Sequence, residues 1–150
     1  MPSTRRIAVV TTSRADWGHL VWPLRLLDKA ANIEIELLVG GAHLDSRFGH
    51  TIDAIKAAGF KVAAEVPFLP DDDSDRGMGE GIGRAVIGFT EALSTLRPDL
   101  LLIIADRYEM LAPAAAAMAL RIPIAHIEGG EISEGAIDQQ VRDALTKMSH

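Results

Sequence analysis

The sequence predicts an α/β domain built on a doubly wound parallel sheet, and three observations carry that prediction. Short apolar segments alternate with stretches of helical periodicity from end to end. Two of those segments, residues 98–105 (PDLLLIIA) and 122–127 (IPIAHI), are apolar almost throughout, as suits strands covered by helices on both faces. The chain has 150 residues, 48% of them hydrophobic, enough for one domain with a sizeable core.

Residues 6–12 (RIAVVTT) read as the first strand, broken by residues 13–18 (SRADWG). Leu20, Pro23, Leu24 and Leu27 then recur at helical spacing within residues 19–31. Residues 33–39 (IEIELLV) alternate before turning apolar, a second strand that runs into residues 40–43 (GGAH). Phe48, Ile52 and Ile55 mark a second helix over residues 46–58, stopped by Gly59. Residues 60–66 form a third strand bounded by Pro67. Residues 70–83 (PDDDSDRGMGEGIG), acidic and then glycine-rich, are expected to be a mobile loop. A third helix over residues 82–96 presents Ile82, Val86, Phe89, Leu93 and Leu96. The strand at 98–105, an alanine-rich helix over 110–120, the strand at 122–127 and a last helix from about Ala136 complete the series. Right-handed crossovers and a central first strand give the expected order 3-2-1-4-5. In that order the winding reverses between strands 1 and 4, where ligands of such sheets bind beyond the strands' carboxyl ends.

Composition removes several classes of function. With 21 acidic against 15 basic residues the net charge is −6, which argues against a nucleic-acid binder. There is no cysteine, hence no disulfide and no thiolate chemistry. No long apolar run and no signal-peptide core are present, so a soluble cytoplasmic protein without a membrane partner is the default expectation. The last helix reaches residues 148–150 without a glycine cap or a proline, which reads as a chain cut inside a larger protein.

The two most apolar strands each run straight into acids, Asp106-Arg107-Tyr108-Glu109 after one and Glu128-Gly129-Gly130-Glu131 after the other. With Asp138, these put several carboxylates near one rim. Close carboxylates raise one another's pKa, and general acid–base chemistry exploits such splitting. Solvated loop acids are the plain alternative. Glu109 also suits the first turn of a helix, and Asp138 a helix start, where capping competes with catalysis. Arg14 and Arg107 each follow a strand and precede a helix, which suits a phosphate or diphosphate, or else an ion pair with nearby acids. His43 is either a ligand contact or a polar loop residue. His126-x-Glu128 lacks the cysteines of a zinc deaminase, and a magnesium ion held by Asp106 and Glu128 is the remaining metal reading. The spacing Gly77-x-Gly79-x-Gly81-x-Gly83 matches neither G-x-G-x-x-G nor a Walker loop.

Residues 12–18 (TSRADWG), 41–44 (GAHL), 106–111 (DRYEML) and 125–131 (AHIEGGE), followed by Arg142 and Thr146-Lys147, resemble UDP-N-acetylglucosamine 2-epimerases. The resemblance covers essentially the whole chain and is strongest to the hydrolysing branch, which makes N-acetylmannosamine for sialic acid synthesis. It implies two Rossmann-like domains in the glycosyltransferase-B arrangement, with residues 1–150 as the N-terminal one and the C-terminal one absent from this chain. It further implies anti elimination of UDP to a 2-acetamidoglucal, then hydration, with no cofactor and no metal. Carried over by position, Asp106, Glu128 and Asp138 would be the catalytic carboxylates. Arg14 and Arg107 would meet the UDP part with Ala15 nearby, and His43 and Glu131 would complete the substrate-binding set. The relatives associate through this domain, so a homodimer is expected. The rival substrate is UDP-2,4-diacetamido-2,4,6-trideoxyglucose of the legionaminic acid pathway. Another class is an isolated nucleotide-binding or dimerisation module without catalysis. A glycosyltransferase is disfavoured, because transfer needs no base at C2.

Overall fold

The sheet comprises β1 (Arg5–Thr11), β2 (Ile33–Gly40), β3 (Val62–Val66), β4 (Leu100–Ile104) and β5 (Ile124–Ile127). These come from a computed structural model, which describes residues 3–135 and 137–150. All four pairings are parallel and the order is β3-β2-β1-β4-β5, as the alternation predicts. The central strands are buried on both faces. Val9 and Val10 of β1, Leu37 to Val39 of β2 and Leu101 and Ile103 of β4 are fully enclosed, which explains their near-continuous apolar runs.

Among the described residues five helices cover the sheet: α1 (Arg14–Leu27), α2 (Ile52–Ala57), α3 (Asp75–Leu96), α4 (Leu111–Ala119) and α5 (Asp138–Met148). Helix α4 packs on both α3 and α5, and right-handed crossovers put α3 and α4 on the face opposite α1 and α2. Among the described residues no helix is long and apolar enough to cross a membrane.

Helix boundaries depart from the periodic reading in three places. Helix α1 starts at Arg14 rather than His19, because Ser13 and Asp16 form a reciprocal capping box that opens the helix before its apolar stripe begins. The second helical stretch divides into a 3-10 turn at Ser46–Phe48 and the short α2. The start of the last helix expected at Ala136 lies outside the described residues, and α5 begins at Asp138.

The glycine-rich stretch is a correction. It is not a mobile loop but the first turns of α3, capped by the Ser74 hydroxyl, which accepts from the Gly77 N–H at 3.0 Å. Gly77, Gly81, Ala85, Phe89 and Leu93 recur every fourth residue and are all buried. A Cβ on Gly77 would fall 2.7 Å from the Asp72 carbonyl oxygen, so the helix meets the preceding loop at a distance only glycine allows.

Candidate active site

The site is assembled from three loops at the carboxyl ends of β1, β4 and β5. After β1, the Asp16 carboxylate gathers the loop onto itself. Its Oδ2 accepts the N–H groups of Thr12 at 2.7 Å and Ser13 at 2.9 Å and the Thr12 hydroxyl at 2.8 Å. Oδ1 accepts the Ser13 hydroxyl at 2.9 Å. So held, the loop presents the positive end of α1, with Ala15 on the wall of the crevice beside β4.

After β4 comes Asp106. Its Oδ2 accepts the Ser133 hydroxyl at 2.7 Å and Nη2 of Arg142 at 2.5 Å. The Ser133 hydrogen bond, reinforced by the Arg142 charge against the effect of burial, holds this carboxyl below the usual range. The expectation that crowded carboxylates raise one another's pKa therefore fails at Asp106, because its neighbours are a hydroxyl and a guanidinium rather than another acid. Asp106 is an anion at neutral pH, fit to stabilise positive charge.

After β5, Glu128 adopts a left-handed backbone with φ of 63°. Its carboxylate lies 3.3 Å from Nδ1 of His19 on α1, and its carbonyl accepts Nη1 of Arg142. Arg142 is 5% exposed, so one buried guanidinium on α5 ties the two acid-bearing loops together. Asp138, the first residue of α5, is exposed and lines the same crevice. As the acid in the first turn of α5, Asp138 also suits the positive end of that helix, so the structural alternative for it stands beside the catalytic one.

Asp106, Glu128, Asp138, Arg107 and Ala15 thus share one open crevice of about 360 Å³. The other expected residues stand apart from it. Arg14 is exposed on the first turn of α1, unpaired with any acid among the described residues. Glu131 is exposed on the loop beyond, outside the crevice wall. His43 is fully buried, with Nε2 2.9 Å from the Thr11 hydroxyl and Nδ1 2.6 Å from that of Thr51. Both ring nitrogens are taken, and its surroundings are those of a packed polar link. Arg107 reaches the crevice and is also ion-paired, 2.5 Å from Glu109. Burial disfavours its charge, yet the Glu109 carboxylate outweighs that and leaves the Arg107 pKa raised.

Spacing alone misses Ser133 and His19. Neither belongs to a periodic or motif-like pattern, and only the fold brings them to Asp106 and Glu128. Asp16 was recoverable from Ser13-x-x-Asp16, the pattern of a capping box. Among the described residues no group of three or more His, Asp or Glu side chains is arranged to hold a metal ion. A larger groove of about 480 Å³ lies between Trp22, Leu26 and Phe60. It lacks the converging carboxylates, and chemistry rather than size marks the smaller crevice.

The sequence profile of the UDP-N-acetylglucosamine 2-epimerase family matches residues 25–150. A UDP-N,N'-diacetylbacillosamine 2-epimerase (hydrolyzing) from Legionella pneumophila is 40% identical over 146 residues, 97% of this chain and 38% of its own. A GDP/UDP-N,N'-diacetylbacillosamine 2-epimerase (hydrolyzing) from Campylobacter jejuni is 34% identical over 148 residues, 99% of this chain and 38% of its own. Among solved structures, a UDP-GlcNAc 2-epimerase from Neisseria meningitidis bound to UDP-GlcNAc superposes with a TM-score of 0.81 at 18% identity, covering 96% of this chain and 38% of that one. This chain therefore spans 38% of the length of these curated relatives.

Proposed function

Because this chain belongs to the UDP-N-acetylglucosamine 2-epimerase family, we propose that it is the N-terminal half-site of a hydrolysing 2-epimerase acting on a UDP-linked 2-acetamido sugar. The observation that carries the reading is the convergence of Asp106, Glu128 and Asp138 on the switch-point crevice. A second Rossmann-like domain would close over that crevice in a longer protein.

In this reading a carboxylate removes the proton at C2, the C1–oxygen bond breaks and UDP departs, leaving a 2-acetamidoglycal. Water then adds its oxygen at C1, and a proton returns to C2 on the opposite face, giving the free 2-epimeric sugar. The depressed pKa of Asp106 keeps it an anion and a weak base, which suits stabilising the positive charge that builds at C1 better than taking up or donating a proton. Arg107, on the crevice wall, meets the diphosphate, where charge grows as the glycosidic bond breaks, and Arg14, exposed at the start of α1 outside that wall, reaches it only from the rim.

The substrate favoured is UDP-N,N'-diacetylbacillosamine, the 2,4-diacetamido-trideoxy sugar nucleotide. The relatives at 40% and 34% identity are both named for the diacetylbacillosamine sugar, the first with UDP and the second with GDP or UDP. UDP-N-acetylglucosamine is the second reading, favoured by the motif resemblance. Product analysis decides: a protein carrying both domains is given each nucleotide sugar in D₂O, and UDP and the free sugar are followed by NMR. The reading expects deuterium at C2 of a hydrolysed product and a higher kcat/KM with the diacetylated sugar. Product without deuterium would mean simple hydrolysis and would overturn it.

A further inference from the structure

We infer that His126 is a positioning residue for Asp106: by gripping the carbonyl of Ala105 it maintains the left-handed turn after β4 that aims the Asp106 carboxylate into the crevice. The inference rests on the reading of Asp106 as a catalytic carboxylate. Ala105 has a φ of 63°, a conformation that side chains with a Cβ rarely adopt. Such a residue persists only where its surroundings over-determine it. Here they do so from both ends. The Ala105 N–H donates to the Ile127 carbonyl at 3.0 Å, and the Ala105 carbonyl lies 2.7 Å from Nε2 of His126. Strand pairing sets His126 beside Ile103, so the ring reaches forward along β4 to the carbonyl beyond the strand's end.

The chemistry of the ring follows from its partners. A carbonyl only accepts, so Nε2 carries the hydrogen. Nδ1 is then the acceptor, and the Thr146 hydroxyl on α5 donates to it at 3.0 Å. Gly129 leaves room for this pair, since a Cβ there would sit 3.0 Å from both Nδ1 of His126 and Oγ1 of Thr146. The segment His126-x-Glu128-Gly129 is therefore explained without a metal: His126 sets the neighbouring loop, Glu128 enters the crevice and Gly129 clears space for the Thr146 contact. Ser133 and Arg142 fix the head of the Asp106 side chain, while His126 fixes the backbone from which it springs. Without that grip Ala105 relaxes to negative φ and swings the next residue's Cα–Cβ bond away.

Two measurements test this. In the two-domain protein, His126→Phe is expected to lower kcat at least tenfold with KM and UDP affinity within twofold of the parent. His126→Gln, which keeps a donor at a similar reach, recovers most of the loss, and Thr146→Val lowers kcat two- to fivefold. Adding Ala105→Gly to His126→Phe regains at least threefold, because glycine adopts positive φ without a steric penalty. A purely structural role for His126 predicts no such rescue, and its absence overturns the inference. In the 150-residue chain, carbon chemical shifts report the Ala105 backbone without any activity. His126→Phe must abolish the left-handed signature at Ala105, and retention of it overturns the inference even if the parent proves not to be an epimerase. Should His126→Phe fail to fold, Thr146→Val decides by the same two readouts: kcat and the Ala105 signature must fall together, while His126→Gln keeps both.

Discussion

The guanidinium of Arg142 lies 2.5 Å from the Asp106 carboxylate while its other amino group bonds the backbone of Glu128. One side chain on α5 thus positions two acids that come from different strands. Arg142→Met in a protein with both domains is expected to cut turnover by about 10²-fold, the scale for displacing reacting groups by an ångström or so. Arg142→Lys should recover little, since an ammonium cannot span both partners. Steady-state kinetics with thermal melts on the same samples check this, and unchanged turnover in Arg142→Met would remove Arg142 from the site.

The carboxylates themselves should act on the chemical step. Asp106→Asn and Glu128→Gln are each expected to lower kcat by roughly 10²-fold or more, the usual scale for a positioned acid or base, with little effect on nucleotide affinity. Loss of UDP binding instead, measured by calorimetry, would assign them to the nucleotide.

Arg107 should behave differently. It lines the crevice while paired with Glu109, and removing it should weaken UDP binding by about 1.5–3 kcal/mol, the range for hydrogen bonds to charged groups. Arg107→Lys should recover only part of that. If Arg107→Ala binds UDP as tightly as the parent, the Glu109 pair is its whole role.

His43 supplies a pH dependence. Burial holds its pKa below the ordinary 6.5, so below that pH the unfolded ring takes up a proton that the folded ring refuses. The unfolded state then binds more protons, and the stabilising contribution, complete above 6.5, is lost as pH falls toward the folded pKa. Thermal melts between about pH 7.5 and pH 5 should show Tm falling with acid, and the slope should lessen in His43→Gln. An unchanged slope would mean that the ring is protonated in the fold.

The 150-residue chain alone should fold yet release no UDP, because a crevice open on one side neither excludes water nor surrounds the nucleotide. It should also self-associate, and sedimentation at rising concentration reads that directly. Turnover by the isolated chain near that of the longer protein would contradict the half-site reading.

Strand order was legible because the periodicity of each segment is unambiguous and parallel topology leaves few arrangements. The charged loops followed from that order, since Asp106 and Glu128 sit where two unambiguous strands end. Helix starts were less legible: the cap at Ser13 and Asp16 precedes any apolar spacing, and at residues 77–83 glycine composition masked a helix that needs close approach rather than a flexible loop. His43 illustrates the harder limit. A polar residue after two glycines looks available, and only tertiary packing shows it enclosed between Thr11 and Thr51. Ser133 reaches Asp106 across 27 residues, a separation no local pattern encodes.

The central position of β1 has a consequence for the order in which the molecule is completed. During synthesis β1 emerges first, and β2 and β3 can zip onto one of its edges as they follow. Its other edge waits for β4: the Arg6 N–H finds the Asp99 carboxylate at 2.8 Å only across a separation of 93 residues. Contacts this distant in sequence are slow to close. The seam between β1 and β4 is also the seam above which the crevice opens, so the nascent chain acquires its binding surface only after Asp106 and Glu128 have left the ribosome. Until then the β1 edge is an unpaired template exposed to other chains, and a slow codon or a destabilising substitution before residue 100 would lengthen that exposure.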